Sequence, residues 1–461
     1  MGLTKAEIVQ IAVLLSACLV SVLNYTFLTP ALPVIMADMN VTATTVQWLT
    51  SIYSMVEAVV IPLNAFLLGR FSTRKLFAGV FVVFAAGSLL AAVARTFAVL
   101  IVARILQACA CGVVMPMVFT IVLLIAPRKN RGTIMGLVGL VISFAPAIGP
   151  VVSGAIIDFL GWRYLFAIVA VISLIVIALG LALLKNHEGF ERTSFDPISI
   201  VFSSFGMVGL LYGLSTCTST DTPWASAALM VVGIAFLALF VRRQRTLEVP
   251  TLRIETLKTR NFRYAIICIF FLEGALISLD VLIPLLVQNS LGRTPTVTGI
   301  VMAPAAITGA VAGIIGGRIF DKHGVRAIAL VGAGLLVVTA AGLALSGFDT
   351  SVITVATLYM TNAIGWQFVS TPVNTWGINS LPNEVIQHGN AVSSTLMQVG
   401  ASFGTAAIVS LTALGPLAAP AADAAGQMLA GYQLAFWGCT AFLAIVGIIV
   451  LTIMRDKPKA K

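Results

Sequence analysis

The sequence predicts an all-α polytopic membrane protein with fourteen transmembrane helices. Three observations carry that expectation. The 461 residues have a mean hydropathy of +1.06, and 59% of them are hydrophobic. Only 10% are charged, against about 25% in a soluble domain that must dress a water-facing surface. Apolar runs of about 20 residues, the length a helix needs to cross a hydrocarbon core of about 30 Å, recur along the chain.

The runs fall at roughly 8–36, 46–68, 75–94, 98–126, 132–157, 163–184 and 197–216, and then at 224–241, 262–288, 297–318, 326–346, 351–378, 390–414 and 433–454. They are helices and not barrel strands, because they are long and lack period-two alternation. Gly, Ala, Ser and Thr are frequent within them, which suits close helix packing in lipid. The first run follows one lysine and one glutamate and ends at no small-residue cleavage site, so it reads as a retained span.

Charge fixes an expected orientation. With both ends cytoplasmic, the inner segments hold every Lys and Arg of the 27 except Arg95, Arg163 and Arg293 in outer loops and Arg104 within the fourth span. That asymmetry follows the positive-inside rule and requires an even span count. The formal net charge of +10 therefore reports membrane topology, not nucleic-acid binding. Five of the six cysteines lie in apolar segments as small core residues, and His187, His323 and His388 fall in polar loops, so no metal site is expected.

A repeat is visible in two short basic loops. Arg70-Phe71-Ser72-Thr73-Arg74 follows the second span, and Gly317-Arg318-Ile319-Phe320-Asp321-Lys322-His323-Gly324-Val325-Arg326 follows the tenth. An offset of eight spans means six per half plus two inserted. The expected organisation is an N-terminal six-helix bundle at 1–190, two inserted helices and a cytoplasmic linker at 191–260, and a C-terminal six-helix bundle at 261–461. Two parallel halves with a site between them near the midplane is a transporter architecture.

Several motifs then carry a family resemblance. Asn24-Tyr25-Thr26-Phe27-Leu28-Thr29-Pro30-Ala31-Leu32-Pro33 is similar to D-x-T-x-x-N-x-A-L-P, and Arg104-Ile105-Leu106-Gln107 to R-x-x-Q. Ala145-Pro146-Ala147-Ile148-Gly149-Pro150 with Gly154 looks like an antiporter motif, and Trp162-Arg163-Tyr164 resembles W-R-W. Leu381-Pro382, His388-Gly389, Thr395 and Gln398 add a further match. Together they resemble the major facilitator superfamily, and within it the fourteen-span drug:proton antiporters, especially the lincomycin-resistance type of exporter. The resemblance implies the major facilitator fold. Three departures stand out: Asn24 replaces the family's usual first-span aspartate, Gly69 replaces the loop aspartate that Asp321 keeps in the second half, and Ala108 replaces a glycine.

Ionisable side chains within a bilayer cost about 2.5–3.5 kcal/mol at its centre, so each marks a candidate site. Four lie well within the spans: Glu57, Arg104, Glu273 and Asp280. Asp280 is two helical turns beyond Glu273 on nearly the same face, and the pair forms an acidic track. A carboxyl in a low-dielectric site can load and release protons near neutral pH. Arg104 supplies a permanent positive partner, and Gln107, one turn along, completes a polar network. Asn362, Trp366, Gln367 and Asn374 in the twelfth span, with Asn24 and Tyr25 in the first and Gln107, are the expected substrate-binding set, since rings give apolar contact and amides orient. Pro146, Gly149, Pro150 and Gly154 form an expected gating element in the fifth span, where proline bends a helix and glycine permits close approach. Arg70, Arg74, Asp321 and Arg326 are expected to latch the cytoplasmic side.

These readings point to a proton-coupled antiporter that exports small hydrophobic or amphipathic compounds, such as antibiotics, by alternating access. It is expected to act as a monomer in a bacterial-type plasma membrane, with the proton gradient as its energy source, no cofactor and no nucleic-acid partner. The alternatives are an exporter of an endogenous lipid or metabolite, or a non-transporting sensor or scaffold. No nucleophile–base constellation lies within the spans, which argues against an enzyme.

Overall fold

The computed structural model describes residues 4–125, 145, 148–186, 196–216, 223–247, 254–382 and 385–454. Among them every regular element is helical. The helices are α1 (Lys5–Asp38), α2 (Ala43–Val46), α3 (Trp48–Val60), α4 (Asn64–Arg70), α5 (Thr73–Ala92) and α6 (Phe97–Ile125). There follow α7 (Ile148–Leu160), α8 (Trp162–Leu183), α9 (Pro197–Thr216), α10 (Pro223–Thr246) and α11 (Arg260–Leu285). The last are α12 (Pro295–His323), α13 (Val325–Ala344), α14 (Val352–Ile378), α15 (Ile386–Ser410), α16 (Gly415–Ala418) and α17 (Ala424–Thr452).

Helix ends follow local chemistry. Thr4 and Glu7 form a capping box at the start of α1, satisfying donors that the first turn leaves unpaired. Gly161 takes a φ of +96° in the tight turn between α7 and α8, a conformation that a side chain would strain. Proline interrupts α1 at Pro30 and Pro33, α6 at Pro116, α11 at Pro284, α12 at Pro304 and α14 at Pro372. Each proline lacks the N–H that would bond to the carbonyl four residues back.

Twelve helices among the described residues are long and apolar enough to span a membrane, where the sequence leads one to expect fourteen. The two differences have separate origins. The expected span at 46–68 divides into α3, a 3-10 turn at Ile61–Leu63 and α4, and Pro62 within that turn removes a backbone donor. Most of the expected span at 132–157 lies outside the described residues, and α7 is the shorter apolar helix that remains.

Helix packing shows a recurring pattern. α5 lies against α6 and α8, α3 against α6, and α1 against α6 and α8. Later in the chain α13 lies against α14 and α17, α12 against α14, and α11 against α14 and α17. Close approach relies on small residues and shape, because lipid tails give helices no hydrophobic reason to associate. A Cβ added at Gly180 of α8 would strike the Phe77 ring of α5, which itself stacks on Phe81. α9 and α10 pack mainly on each other, with Gly209 of α9 meeting the Gly233 backbone of α10 at 3.0 Å from the position a Cβ would take.

Contacts join the two sets of helices along α1 to α11 and α12, and along α3 to α15; α9 lies beside α3 and α15. One end of the bundle, the Asp38 face, is tied by polar bonds. Asp38 accepts from Trp162 Nε1 at 3.2 Å and from Arg163 Nη1 at 2.8 Å, and Arg163 Nη2 reaches the Ala94 carbonyl at 3.1 Å. The Trp-Arg pair thus fastens α1, α5 and α8. At the opposite, Lys5 face, Gln10 Oε1 accepts from the Lys185 backbone at 3.2 Å.

Candidate functional site

Arg104 is the largest fully enclosed side chain, at 0% exposure. From α6 its Nε donates to the Leu49 carbonyl of α3 at 3.2 Å, and Nη1 donates to Gln107 Oε1 at 2.9 Å. The guanidinium lies 4.1 Å from the centre of the Tyr53 ring, a cation–π contact that replaces part of the lost hydration. Gln107 Nε2 continues the network to Ser88 Oγ of α5 at 3.0 Å. Arg104 Nη2 has no hydrogen-bond partner, and none of the ion pairs among the described residues includes Arg104. A buried cation without a touching counter-ion is costly, which sets Arg104 apart from an ordinary packing residue.

Glu57 of α3 is half-buried, one turn along from Tyr53. Its Oε2 accepts from Gln398 Nε2 of α15 at 3.0 Å. Beside this bond, Ser402 Oγ of α15 donates to the Ser51 carbonyl of α3 at 3.0 Å. Glu57 and Arg104 lie within electrostatic reach of each other.

Asp280 and Glu273 both belong to α11. The Tyr359 hydroxyl of α14 donates to Asp280 Oδ1 in a short hydrogen bond. Pro284, four residues on, leaves the Asp280 carbonyl without its helical donor. Glu273 is 7% exposed, and its Oε1 has no partner. Three residues beyond Tyr359, Asn362 Nδ2 donates to Thr339 Oγ1 of α13 at 2.8 Å. The arrangement repeats that of α6: Arg104, Gln107 and Ser88 in one place, Tyr359, Asn362 and Thr339 in the other. Tyr25 of α1 connects the two. Its ring lies 5.5 Å from that of Tyr53, and it sits within electrostatic reach of Asp280, Glu57 and Arg104.

The remaining candidates separate by location. Gln107 and Asn362 serve neighbouring helices through the bonds above. Asn374 Oδ1 accepts from Ser393 Oγ of α15 at 3.0 Å, and Gln367 lies across from Gly313 of α12. Asn24 Nδ2 and Trp366 Nε1 are buried and unpartnered. Pro146 lies outside the described residues. A Cβ at Gly149 would strike Thr26 of α1. One at Gly154 would lie 2.5 Å from the Pro295 carbonyl oxygen of α12, and one at Gly299 would strike the Pro150 carbonyl. These glycines bring α7 against α1 and α12 at the Asp38 face. Asp158 accepts from the Thr296 backbone at 3.1 Å nearby, while Gln288 Nε2 spans Pro30 O at 3.0 Å and Thr298 Oγ1 at 3.1 Å.

The four latch residues are placed differently. Arg70 lies in the last turn of α4, where a cation is favourable. The Arg74 backbone donates to Asn186 Oδ1 at 3.3 Å, and Arg326 Nη2 donates to the Leu451 carbonyl at 3.3 Å. Asp321 lies in the last turn of α12, and its side chain lies outside the described set.

Tyr359, Gln398 and Ser88 belong to this site but do not stand out as site residues in the sequence. A signal for Tyr359 exists: its spacing to Asn362 equals that of Arg104 to Gln107. Among the described residues no group of three His, Cys, Asp or Glu side chains could hold a metal.

The profile of the Major Facilitator Superfamily matches residues 14–405. The chain belongs to the Major Facilitator Superfamily. This superfamily member is 36% identical to an uncharacterized MFS-type transporter, YcnB, of Bacillus subtilis, over 98% of this chain and 95% of that one. It is 32% identical to the lincomycin resistance protein LmrB of the same organism, over 87% and 85% of the two chains. A multidrug resistance protein B homolog of Mycobacterium tuberculosis is 28% identical over 80% of this chain and 69% of its own. The crystal structure of a bacterial homolog of the human lysosomal transporter Spinster, inward-facing and unoccupied, superposes with a TM-score of 0.72 at 12% identity, covering 97% of both chains, and shares the fold. The protein is thus a multi-pass membrane transporter and not an enzyme.

Proposed function

We propose that this transporter is a proton-coupled antiporter that exports small hydrophobic or amphipathic compounds by alternating access. The observation that carries the reading is the placement of three intramembrane acids. Glu57, Glu273 and Asp280 lie on α3 and α11, helices at the junction of the two helix sets, and buried Arg104 lies within electrostatic reach of Glu57. Groups of this kind are expensive in a membrane and are retained where charge or protons move. A proton crossing the full potential supplies about 2.3 kcal/mol per 100 mV. The names of LmrB and of the multidrug resistance homolog support antibiotic-like substrates.

In this reading the recurring helix contacts express two six-helix bundles, α1–α8 and α11–α17, with α9 and α10 inserted between them. Fourteen segments cross, the two beyond the uninterrupted helices being the one broken at Ile61–Leu63 and the one that ends in α7. Both termini are cytoplasmic in this reading, which the Lys and Arg distribution supports, and the tied Asp38 face is then external. The fold needs no cofactor and works as a monomer. In proteoliposomes, an imposed pH gradient is expected to drive flux of lincomycin-like or lipophilic cationic compounds. Flux that ignores the gradient across a broad compound panel would overturn the reading.

A further inference from the structure

Glu57 is held across the α3–α15 seam while the nearest buried cation goes unmatched. Gln398 reaches it from a position 341 residues later in the chain, at 3.0 Å. Against the same α3, Arg104 keeps Nη2 without a partner. α3 and α6 are in backbone proximity at this level: a Cβ added at Gly112 would lie 3.5 Å from the Glu57 Cα. The Arg104 guanidinium covers Tyr53, one turn before Glu57 on the same face. Helical side chains lean toward the preceding turn, so a Glu57 released from Gln398 would lean toward that guanidinium.

We propose that Gln398 is a positioning residue that withholds the Glu57 carboxylate from Arg104, and that Glu57 changes partner to Arg104 when α3 and α15 separate. The exchange replaces a seam-crossing hydrogen bond with an ion pair inside one helix set. It removes the orphaned guanidinium donor and the lone buried charge together, so separation of the seam is compensated within the membrane. Opening and closing then alternate the surroundings of one acid between an amide and a cation. The link from this exchange to proton coupling rests on the antiporter reading; the exchange itself does not.

Other titratable groups near Glu57 are few, and of these only Arg104 is charged. α6 brings Arg104 and Cys111, α1 brings Tyr25, and α3 itself brings Tyr53. α9 and α15 contain no Asp, Glu, Lys or Arg. A pH effect at Glu57 therefore reports mainly on Arg104 and Gln398.

The test is infrared titration of the purified full chain in lipid, with the Glu57 carboxyl band assigned by its loss in Glu57→Gln. Gln398→Ala frees the carboxylate for Arg104, which opposes its protonation. The protonation midpoint is expected to fall by about one pH unit, the equivalent of one charge-assisted hydrogen bond. Loss of a donor with no partner exchange would move the midpoint upward, and a structural role would leave it unmoved; either result overturns the proposal. Gln398→Met, which keeps the side-chain length, serves if the alanine variant folds poorly. Gradient-insensitive flux by the unmodified chain would overturn the antiporter reading and not this one, which the infrared midpoint decides alone.

Discussion

Replacing Arg104 by methionine is expected to abolish gradient-driven transport while changing thermal stability little. The expectation follows from opposing terms that nearly cancel. Arg104 loses two charge-assisted hydrogen bonds, to Leu49 and Gln107, each about 1.5–3 kcal/mol, and a desolvated cation–π contact of about 2 kcal/mol. Against these about 5–8 kcal/mol stand the desolvation of a fully enclosed cation, several kcal/mol, and an unpaired Nη2 donor at about 1–3 kcal/mol. Methionine fills much of the same volume and carries neither penalty. The net change is expected to lie within about 2 kcal/mol of zero, on the pattern of buried charges replaced by apolar residues. The assays are the thermal unfolding midpoint in detergent and pH-gradient flux in proteoliposomes. Flux is expected to fall by at least about a hundredfold, as an essential electrostatic partner is lost. Loss of more than about 4 kcal/mol of stability would show that Arg104 chiefly builds the bundle, and persistent flux would show that it does not take part in coupling.

Other perturbations test separate parts. Asp280→Asn and Glu273→Gln are each expected to weaken flux driven by an imposed pH gradient, and undiminished flux in the double variant would exclude α11 from proton coupling. Tyr359→Phe removes the donor to Asp280 and is expected to move the pH profile of flux while leaving folding, read by thermal unfolding, within about 1 kcal/mol. Gly154→Leu sets a side chain against the Pro295 carbonyl and should hold the Asp38 face apart, read as increased thiol-reagent access to a cysteine placed at Thr26; unchanged access would refute the gate. At the Lys5 face the Arg243 guanidinium meets both Asp196 oxygens, at 2.7 and 2.8 Å, and holds that carboxyl down at about 2 against an ordinary 3.8. A lowered folded-state value means that the stabilisation is complete above about pH 4 and disappears as pH falls toward 2. Asp196→Asn is expected to cost about 1–2 kcal/mol at pH 7, reduced by the partial exposure of Arg243, and the difference from the unmodified chain should close in acid.

Much of the fold was legible because lipid imposes a simple rule: long apolar runs become helices. Composition and run length located α1, α5, α6 and most later helices to within about five residues, although α17 begins at Ala424, nine residues before the expected run at 433–454. Composition does not read breaks. The run at 46–68 reads as one span, yet it divides into α3 and α4 at the 3-10 turn that contains Pro62. The acids and Arg104 were legible because charge stands out in such surroundings. Their partners were not. Tyr359 is an uncharged residue of a membrane-spanning helix and Gln398 was visible only as part of a motif; both matter because packing places them against Asp280 and Glu57 over separations of 79 and 341 residues. Asn362 was legible as a buried amide, yet its bond is to Thr339 on the neighbouring α13.

The repeated triads of α6 and α14 sharpen what the missing first-span aspartate implies. Arg104 and Tyr359 each stand three residues before an amide that bonds to a hydroxyl on the preceding helix, Ser88 or Thr339. In one set the leading residue is a cation with no touching acid; in the other it is a neutral donor that does hold an acid. With Asn24 neutral, the only intramembrane acid on α1–α6 is Glu57, and α15 holds it by an amide. The positive charge and its natural counter-charge are thereby kept in neighbouring but separate places. Under the proposed coupling, with Asn24 neutral, a negative partner for Arg104 has to come from Glu57 at the seam between α3 and α15, where a conformational change can act on it directly.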